Sequence, residues 1–174
     1  MPDATIEIKQ APSGRGFRLV ASQFLPVPQD KLFAFFADAA NLQRLTPPWL
    51  HFSILSPTPI AMQSGTLIDY RLRLRGLPLR WRSRISAWEP PRRFIDEQLR
   101  GPYRHWRHEH VLEATAGGTI CWDSIDYNVL GGRLVHRFLV RPDLLKIFAY
   151  RQQALREFFE VTSGHGAGNQ PNGR

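Results

Sequence analysis

Apolar and polar positions alternate from Phe17 to Leu25. Phe17, Leu19, Ala21 and Gln23 take one side, and Arg18, Val20, Ser22 and Phe24 the other. A period of two is that of a β-strand, whose successive side chains point to opposite faces. Pro26 and Pro28 end the run. Over residues 29–39 the period becomes helical, with Leu32, Phe33, Phe35 and Phe36 crowding one side. Asn41 can cap a second short helix that stops near Thr46, because Pro47 and Pro48 cannot continue it. Strand patterning then dominates, over residues 50–55, 65–75, 79–88, 93–100, 101–112 and 119–129. Gly76-Leu77-Pro78 and Gly117-Gly118 provide turns between them. Residues 134–140 have no clear period.

The pattern closes with a long helix over residues 142–161, Pro142 being suited to its first turn. Leu144, Ile147, Phe148, Leu155, Phe158 and Phe159 form its apolar stripe, and Arg151 falls inside that stripe as a charge in need of a partner. The predicted class is therefore α+β: a curved antiparallel sheet of about seven strands around a long C-terminal helix, with two short helices after the first strand. Residues 17–162 form the domain. Residues 1–16, interrupted by Pro12, Gly14 and Gly16, are expected as an N-terminal arm, loose or forming a short strand. Residues 163–174, rich in Gly and Asn, are expected as a disordered tail.

Composition narrows the setting. With 174 residues, 43% of them hydrophobic and 11% aromatic, the chain can bury a core as one domain. No apolar run approaches the roughly 20 residues of a spanning helix. The N-terminus lacks a basic segment followed by an apolar one, and Cys121 has no cysteine to pair with. Both features lead to the expectation of a cytoplasmic protein. The net charge is +8, and all 23 basic residues except Lys9, Lys31 and Lys146 are arginine. Arg71, Arg73 and Arg75 share one face of a strand, and Arg80, Arg82 and Arg84 one face of the next. Like charges facing across a hairpin are unfavourable. Carboxylates such as Asp69, Asp96, Glu97 and Glu109 are the ordinary compensation, and an anionic membrane surface is the functional alternative. No nucleic-acid-binding motif accompanies the charge, so nucleic acid is not an expected partner.

Candidate chemistry concentrates in residues 101–112. Alternation puts Arg104, Trp106, His108, His110 and Leu112 on one face and Tyr103, His105, Arg107 and Glu109 on the other, solvated one. Histidines beside a tryptophan suit the wall of an apolar cavity with a few directed polar groups. The last strand puts Cys121, Asp123, Ile125, Tyr127 and Val129 on one face, so Asp123 and Tyr127 can hydrogen-bond His108 or His110. A carboxylate that orients an imidazole makes a general base for enolisation, cyclisation or dehydration. The same groups also serve as a satisfied network that orients a ligand carbonyl. His-x-His with Asp123 or Glu97 alone does not define a zinc site, and no metal or other cofactor is assigned. The expected cavity lining is Tyr70, Trp81, Trp106, His108, His110, Asp123, Tyr127 and Phe148, with His108, His110 and Asp123 as the catalytic candidates.

The element order over residues 17–161 resembles the START/SRPBCC superfamily with its helix-grip fold, and more closely its polyketide cyclase/dehydrase and lipid-transport branch. The local matches include Phe33-Ala34-Phe35-Phe36, Leu45-Thr46-Pro47-Pro48-Trp49, Gly65-Thr66-Leu67-Ile68-Asp69-Tyr70, Trp88-Glu89-Pro90 and Phe148-Ala149-Tyr150-Arg151. Asn41-Leu42, Phe94-Ile95-Asp96-Glu97-Gln98, Gly101-Pro102-Tyr103 and Trp106-Arg107-His108-Glu109-His110 complete them. The resemblance implies binding of a hydrophobic small molecule, such as a lipid, isoprenoid or polyketide-like compound, between sheet and helix. Because the fold hosts binders, carriers and enzymes alike, a cyclase or dehydratase using a His/Asp pair and a membrane-docked lipid carrier remain alternatives.

Overall fold

The computed structural model describes residues 4–164. Its elements in chain order are β1 (Thr5–Gln10), β2 (Phe17–Leu25), α1 (Gln29–Ala37), α2 (Asn41–Arg44), β3 (Ser53–Ile54), β4 (Leu67–Leu74), β5 (Leu77–Glu89), β6 (Arg93–Arg100), β7 (Tyr103–Thr115), β8 (Gly118–Val129), α3 (Gly132–Val135) and α4 (Arg141–Gly164). Eight strands form one antiparallel sheet in the order β1-β2-β8-β7-β6-β5-β4-β3. β2 pairs with β8 along its whole length, so the first long strand and the last lie side by side, and α4 packs across the sheet they share. This is the helix-grip arrangement. Among the described residues, no helix is long and apolar enough to cross a membrane.

The eighth strand is β1, within the segment expected as an arm. Its residues are largely exposed, and only pairing with β2 makes it a strand. The expected strand over residues 50–55 shrinks to Ser53–Ile54 after a tight turn over Pro48–Leu50. The β4–β5 hairpin turns at Arg75 and Gly76, whose φ values of 51° and 83° suit a two-residue hairpin turn, and Leu74 pairs directly with Leu77. Leu77 and Pro78 therefore belong to the strand and not to the turn. Asn41 does not cap α2. Its side-chain NH2 donates to the Phe35 carbonyl (2.9 Å), closing the end of α1. Residues 136–140 form one π-helical turn that joins α3 to α4, which is why no simple period runs through them. Of the expected tail, residues 163 and 164 continue α4 and the rest lies outside the described residues.

Two apolar clusters fill the space between sheet and helices. One gathers Leu32, Phe33, Phe36, Phe94, Leu112, Cys121 and Leu155, and the other Leu19, Trp81, Trp106, Ile125, Leu144 and Phe148. Each large side chain so buried contributes roughly 1.5–3 kcal/mol. Between the clusters, on each of three elements, stand buried polar residues. His108 and His110 separate Trp106 from Leu112 on β7, Asp123 separates Cys121 from Ile125 on β8, and Arg151 separates Phe148 from Leu155 on α4. The core is divided, and the divide is ionic.

Candidate functional site

Strand register assembles the divide. His110 lies opposite Asp123 on β8 and Phe94 on β6, and His108 lies opposite Ile125 and Asp96. α4 lowers Arg151 onto them from the helix side. Arg151 Nε donates to Asp123 Oδ2 (3.1 Å) and its Nη2 donates to Oδ1 (3.3 Å). His108 Nε2 bonds Asp123 Oδ1 (3.0 Å), and His110 Nε2 bonds Asp96 Oδ2 (3.2 Å). His110 Nδ1 stands 2.7 Å from Asp123 Oδ1 and 3.3 Å from Arg151 Nη2. The shorter contact, with the carboxylate, assigns a proton to Nδ1. Phe94 stacks on His110 at 4.0 Å between centroids, and the Arg151 guanidinium lies over the Phe36 ring.

Burial should favour the neutral form of every member, and the partners decide otherwise in most cases. For Asp123, burial alone would raise the pKa, but Arg151 and both imidazoles hold it well below the usual carboxylate range. Asp96 is also lowered, burial being outweighed by the His110 hydrogen bond and the nearby cations. Burial would depress His110, yet its bonds to Asp123 and Asp96 hold its pKa above the ordinary imidazole value. His108 is lowered, by burial first and then by the charge of His110. Two carboxylates thus face Arg151 and His110, the imidazole that holds its proton more tightly, while His108 favours the neutral ring. A buried group of charges is tolerable when it balances in this way.

In front of the cluster lies a cavity of about 220 Å³ between the sheet, α1, α2 and α4. Asp96, His108, His110 and Arg151 reach its wall, which is otherwise mostly apolar and aromatic. Tyr70, Trp81, Tyr103 and Trp106 form an aromatic group at the wall: Trp81 meets Trp106 edge-on at 5.4 Å, and Tyr103 lies 4.6 Å from Trp106. The Tyr70 hydroxyl and Trp81 Nε1 both meet the Ser83 hydroxyl, at 3.1 and 3.0 Å, so the polar ends of the two rings are satisfied within the wall.

Of the residues expected to line the cavity, Tyr70, Trp81, Trp106, His108, His110 and Phe148 lie on its wall. Asp123 does not: it sits behind the two imidazoles, bonded to Arg151. Tyr127 is also off the wall and reaches neither histidine. It pairs with Trp106 across β7–β8, and its hydroxyl meets His136 Nε2 (2.9 Å), which the π-helical turn brings beneath it. Tyr103 was expected on the solvated face, but a bulge between Tyr103 and His105 turns it inward. Asp96 and Arg151 were missing from the expected site. The inward alternation of Phe94 and Asp96, and the place of Arg151 in the helix stripe, were the available signals.

The six hairpin arginines have different fates. Arg82 pairs with Asp69, Arg84 with Glu97, and Arg75 with Asp143 on α4. Arg71 donates to the Ser53 hydroxyl and stands opposite Arg80. Among the described residues, Arg71, Arg73 and Arg80 have no carboxylate in ion-pair range. Asp96 serves the histidines, and Glu109 pairs with Arg93 and Arg107.

Residues 25–156 match the family described as polyketide cyclase / dehydrase and lipid transport. The chain belongs to that family. Similar folds occur in several solved structures. Protein Ms6760 from Mycobacterium smegmatis shares 13% identity at a TM-score of 0.66, covering 92% of this chain and 99% of its own. The major latex-like protein 151 from Panax ginseng shares 10% identity at a TM-score of 0.60, over 82% of this chain and 96% of its own. CalU16 from Micromonospora echinospora shares 16% at a TM-score of 0.57, over 98% and 78%. At these identities the likeness concerns the fold. No curated protein matches the sequence. Family membership accounts for the grip of sheet on helix, and the chemistry of the cavity has to be read from its own residues.

Proposed function

We propose that this family member binds a hydrophobic small molecule in the cavity, with an oxygen-bearing end of the ligand against Asp96, His108 and Arg151. The observation that carries this reading is the convergence of a few polar groups at one place on an otherwise apolar, aromatic wall. The aromatic group of Tyr70, Trp81, Tyr103 and Trp106 suits a flat or unsaturated lipophile, such as an isoprenoid or polyketide-like compound. The polar end favours a hydroxyl or phenol, because Asp96 and the uncharged His108 offer acceptors. Titration with anilinonaphthalene sulfonate tests the reading. One equivalent should bind and quench tryptophan emission, and Ile147→Trp, which fills the cavity, should weaken binding about tenfold or more. No uptake by the native protein would refute it.

A cyclase or dehydratase activity is favoured by one feature. His108 Nε2 is engaged by Asp123, and Nδ1 has no hydrogen bond among the described residues, so the ring carries the attributes of a general base at the cavity wall. Such a base would catalyse deuterium exchange at the acidic carbon of a bound dicarbonyl compound, and His108→Gln would abolish that exchange. Delivery to or from a membrane is favoured by a surface in which exposed Leu134, Phe138 and Leu139 neighbour Arg75, whose side chain donates to the Leu139 carbonyl. Apolar side chains among arginines fit an anionic lipid surface. The lone Cys121 is buried, which accords with a cytoplasmic setting.

A further inference from the structure

We propose that Asp96, His108 and His110 bind a divalent transition-metal ion of the zinc class at the cavity wall. Each residue offers one ligand atom, and the three atoms lie within 4.8 Å of one another. Asp96 Oδ2 is 3.2 Å from His110 Nε2 and 3.5 Å from His108 Nδ1. Ligands at the bond lengths typical of zinc sites, about 2.0–2.1 Å, stand about 3.3–3.4 Å apart at tetrahedral angles. Both measured separations therefore lie within about 0.2 Å of what a shared ion requires.

The far side of each ring strengthens the assignment. His108 Nε2 and His110 Nδ1, the nitrogens turned away from Asp96, both face Asp123 Oδ1, at 3.0 and 2.7 Å. Asp123 is held in turn by Arg151 through two nitrogens. A carboxylate behind each ligating imidazole fixes its orientation and leaves the other nitrogen free to coordinate. Here one buried carboxylate does this for both rings. Coordination would release the proton that His110 Nε2 shares with Asp96, and Asp96, Asp123 and Arg151 then sum to one net negative charge around the ion.

A purely hydrogen-bonded network does not satisfy the same atoms. Two imidazoles facing two carboxylates make four nitrogen–oxygen approaches. Protons for all four would require two imidazolium rings whose centroids are 3.7 Å apart. Otherwise one nitrogen faces a carboxylate with no proton between them. His108 Nδ1 is that nitrogen: it stands 3.5 Å from Asp96 Oδ2, makes no hydrogen bond among the described residues, and belongs to a side chain on the cavity wall. A metal ion resolves the contact. Three protein ligands and a remaining position toward the cavity make an open site, able to take an oxygen from a cavity ligand. The inference does not depend on what occupies the cavity.

The test uses full-length, untagged protein stripped with chelator and titrated with Co(II), then Zn(II). One equivalent of Co(II) should bind with the intense visible bands of four- or five-coordinate cobalt, and Zn(II) should displace it. Asp96→Asn and His110→Gln should each weaken binding by more than about 100-fold, exceeding the 10–100-fold typical of outer carboxylates. His105→Gln, at an exposed position of the same strand, should leave it unchanged. Nitrogen-15 NMR of the histidines covers the case in which a variant fails to fold. In the native protein, Zn(II) should shift His108 Nδ1 and His110 Nε2 and spare exposed His51 and His105. Absence of stoichiometric binding, a solvent-like six-coordinate spectrum, or binding that survives Asp96→Asn would overturn the proposal.

Discussion

Arg151 interrupts the apolar stripe of α4 and holds Asp123 through two nitrogens, both residues being buried. Removing one partner leaves the other charge uncompensated in the core. Arg151→Met should therefore cost about 3–5 kcal/mol in urea unfolding, and adding Asp123→Asn should recover much of that loss. Gln23 is the opposite case. It points into the core from β2, and neither atom of its amide has a hydrogen-bond partner. Gln23→Met should stabilise the protein by about 1–2 kcal/mol, read as a higher denaturation midpoint at unchanged slope. That Arg151 needs a partner is legible in the sequence, since a cation in a helix stripe cannot stay alone. The identity of the partner is not, because it depends on how α4 lies across β8. Asp96 was hidden for a related reason: a strand carboxylate among arginines reads as a surface ion pair until β6 is placed beside the histidines.

At the level of elements, two-residue alternation sorted the faces of β7 correctly from Trp106 to Leu112 and of β8 from Cys121 to Val129. It failed at Tyr103, where one extra residue in the strand reverses the facing of the side chains beyond it. β1 was hard to read because a mostly exposed edge strand carries little apolar signal. β2 and β8 are also joined by a side-chain pair: Arg18 donates to both oxygens of Asp126 at 2.6 Å. This hydrogen bonding lowers the Asp126 pKa. A depressed carboxylate stabilises the fold above its unfolded pKa, and that stability is lost as pH falls through the folded value. Asp126→Asn should then be less stable than the native protein at neutral pH, and the difference should vanish in acid, as followed by thermal melts across pH. On the hairpin, Arg73→Glu with Arg80→Glu should weaken binding to phosphatidylglycerol vesicles more at low salt than at high salt. Equal binding by the variant in a sedimentation assay would show that these two arginines do not meet the membrane.

For the molecule as a whole, the order of strands and helices in the sequence leads directly to a sheet gripping a helix, and the family match covers the same span. A cavity between them is a natural consequence of two curved layers that do not close fully. What the linear pattern could not supply is the division of the core into two apolar clusters by Asp123, His108, His110 and Arg151, which requires three elements in register. That division gives the cavity a polar wall at one place and an aromatic one at another, and it underlies the proposed binding of a lipophile with an oxygenated end. Native mass spectrometry of the protein purified from its own host tests this most directly. The expected mass is that of the chain plus one lipophilic small molecule, released by organic extraction. The bare mass of the polypeptide in every charge state, from protein never exposed to detergent or solvent, would contradict it.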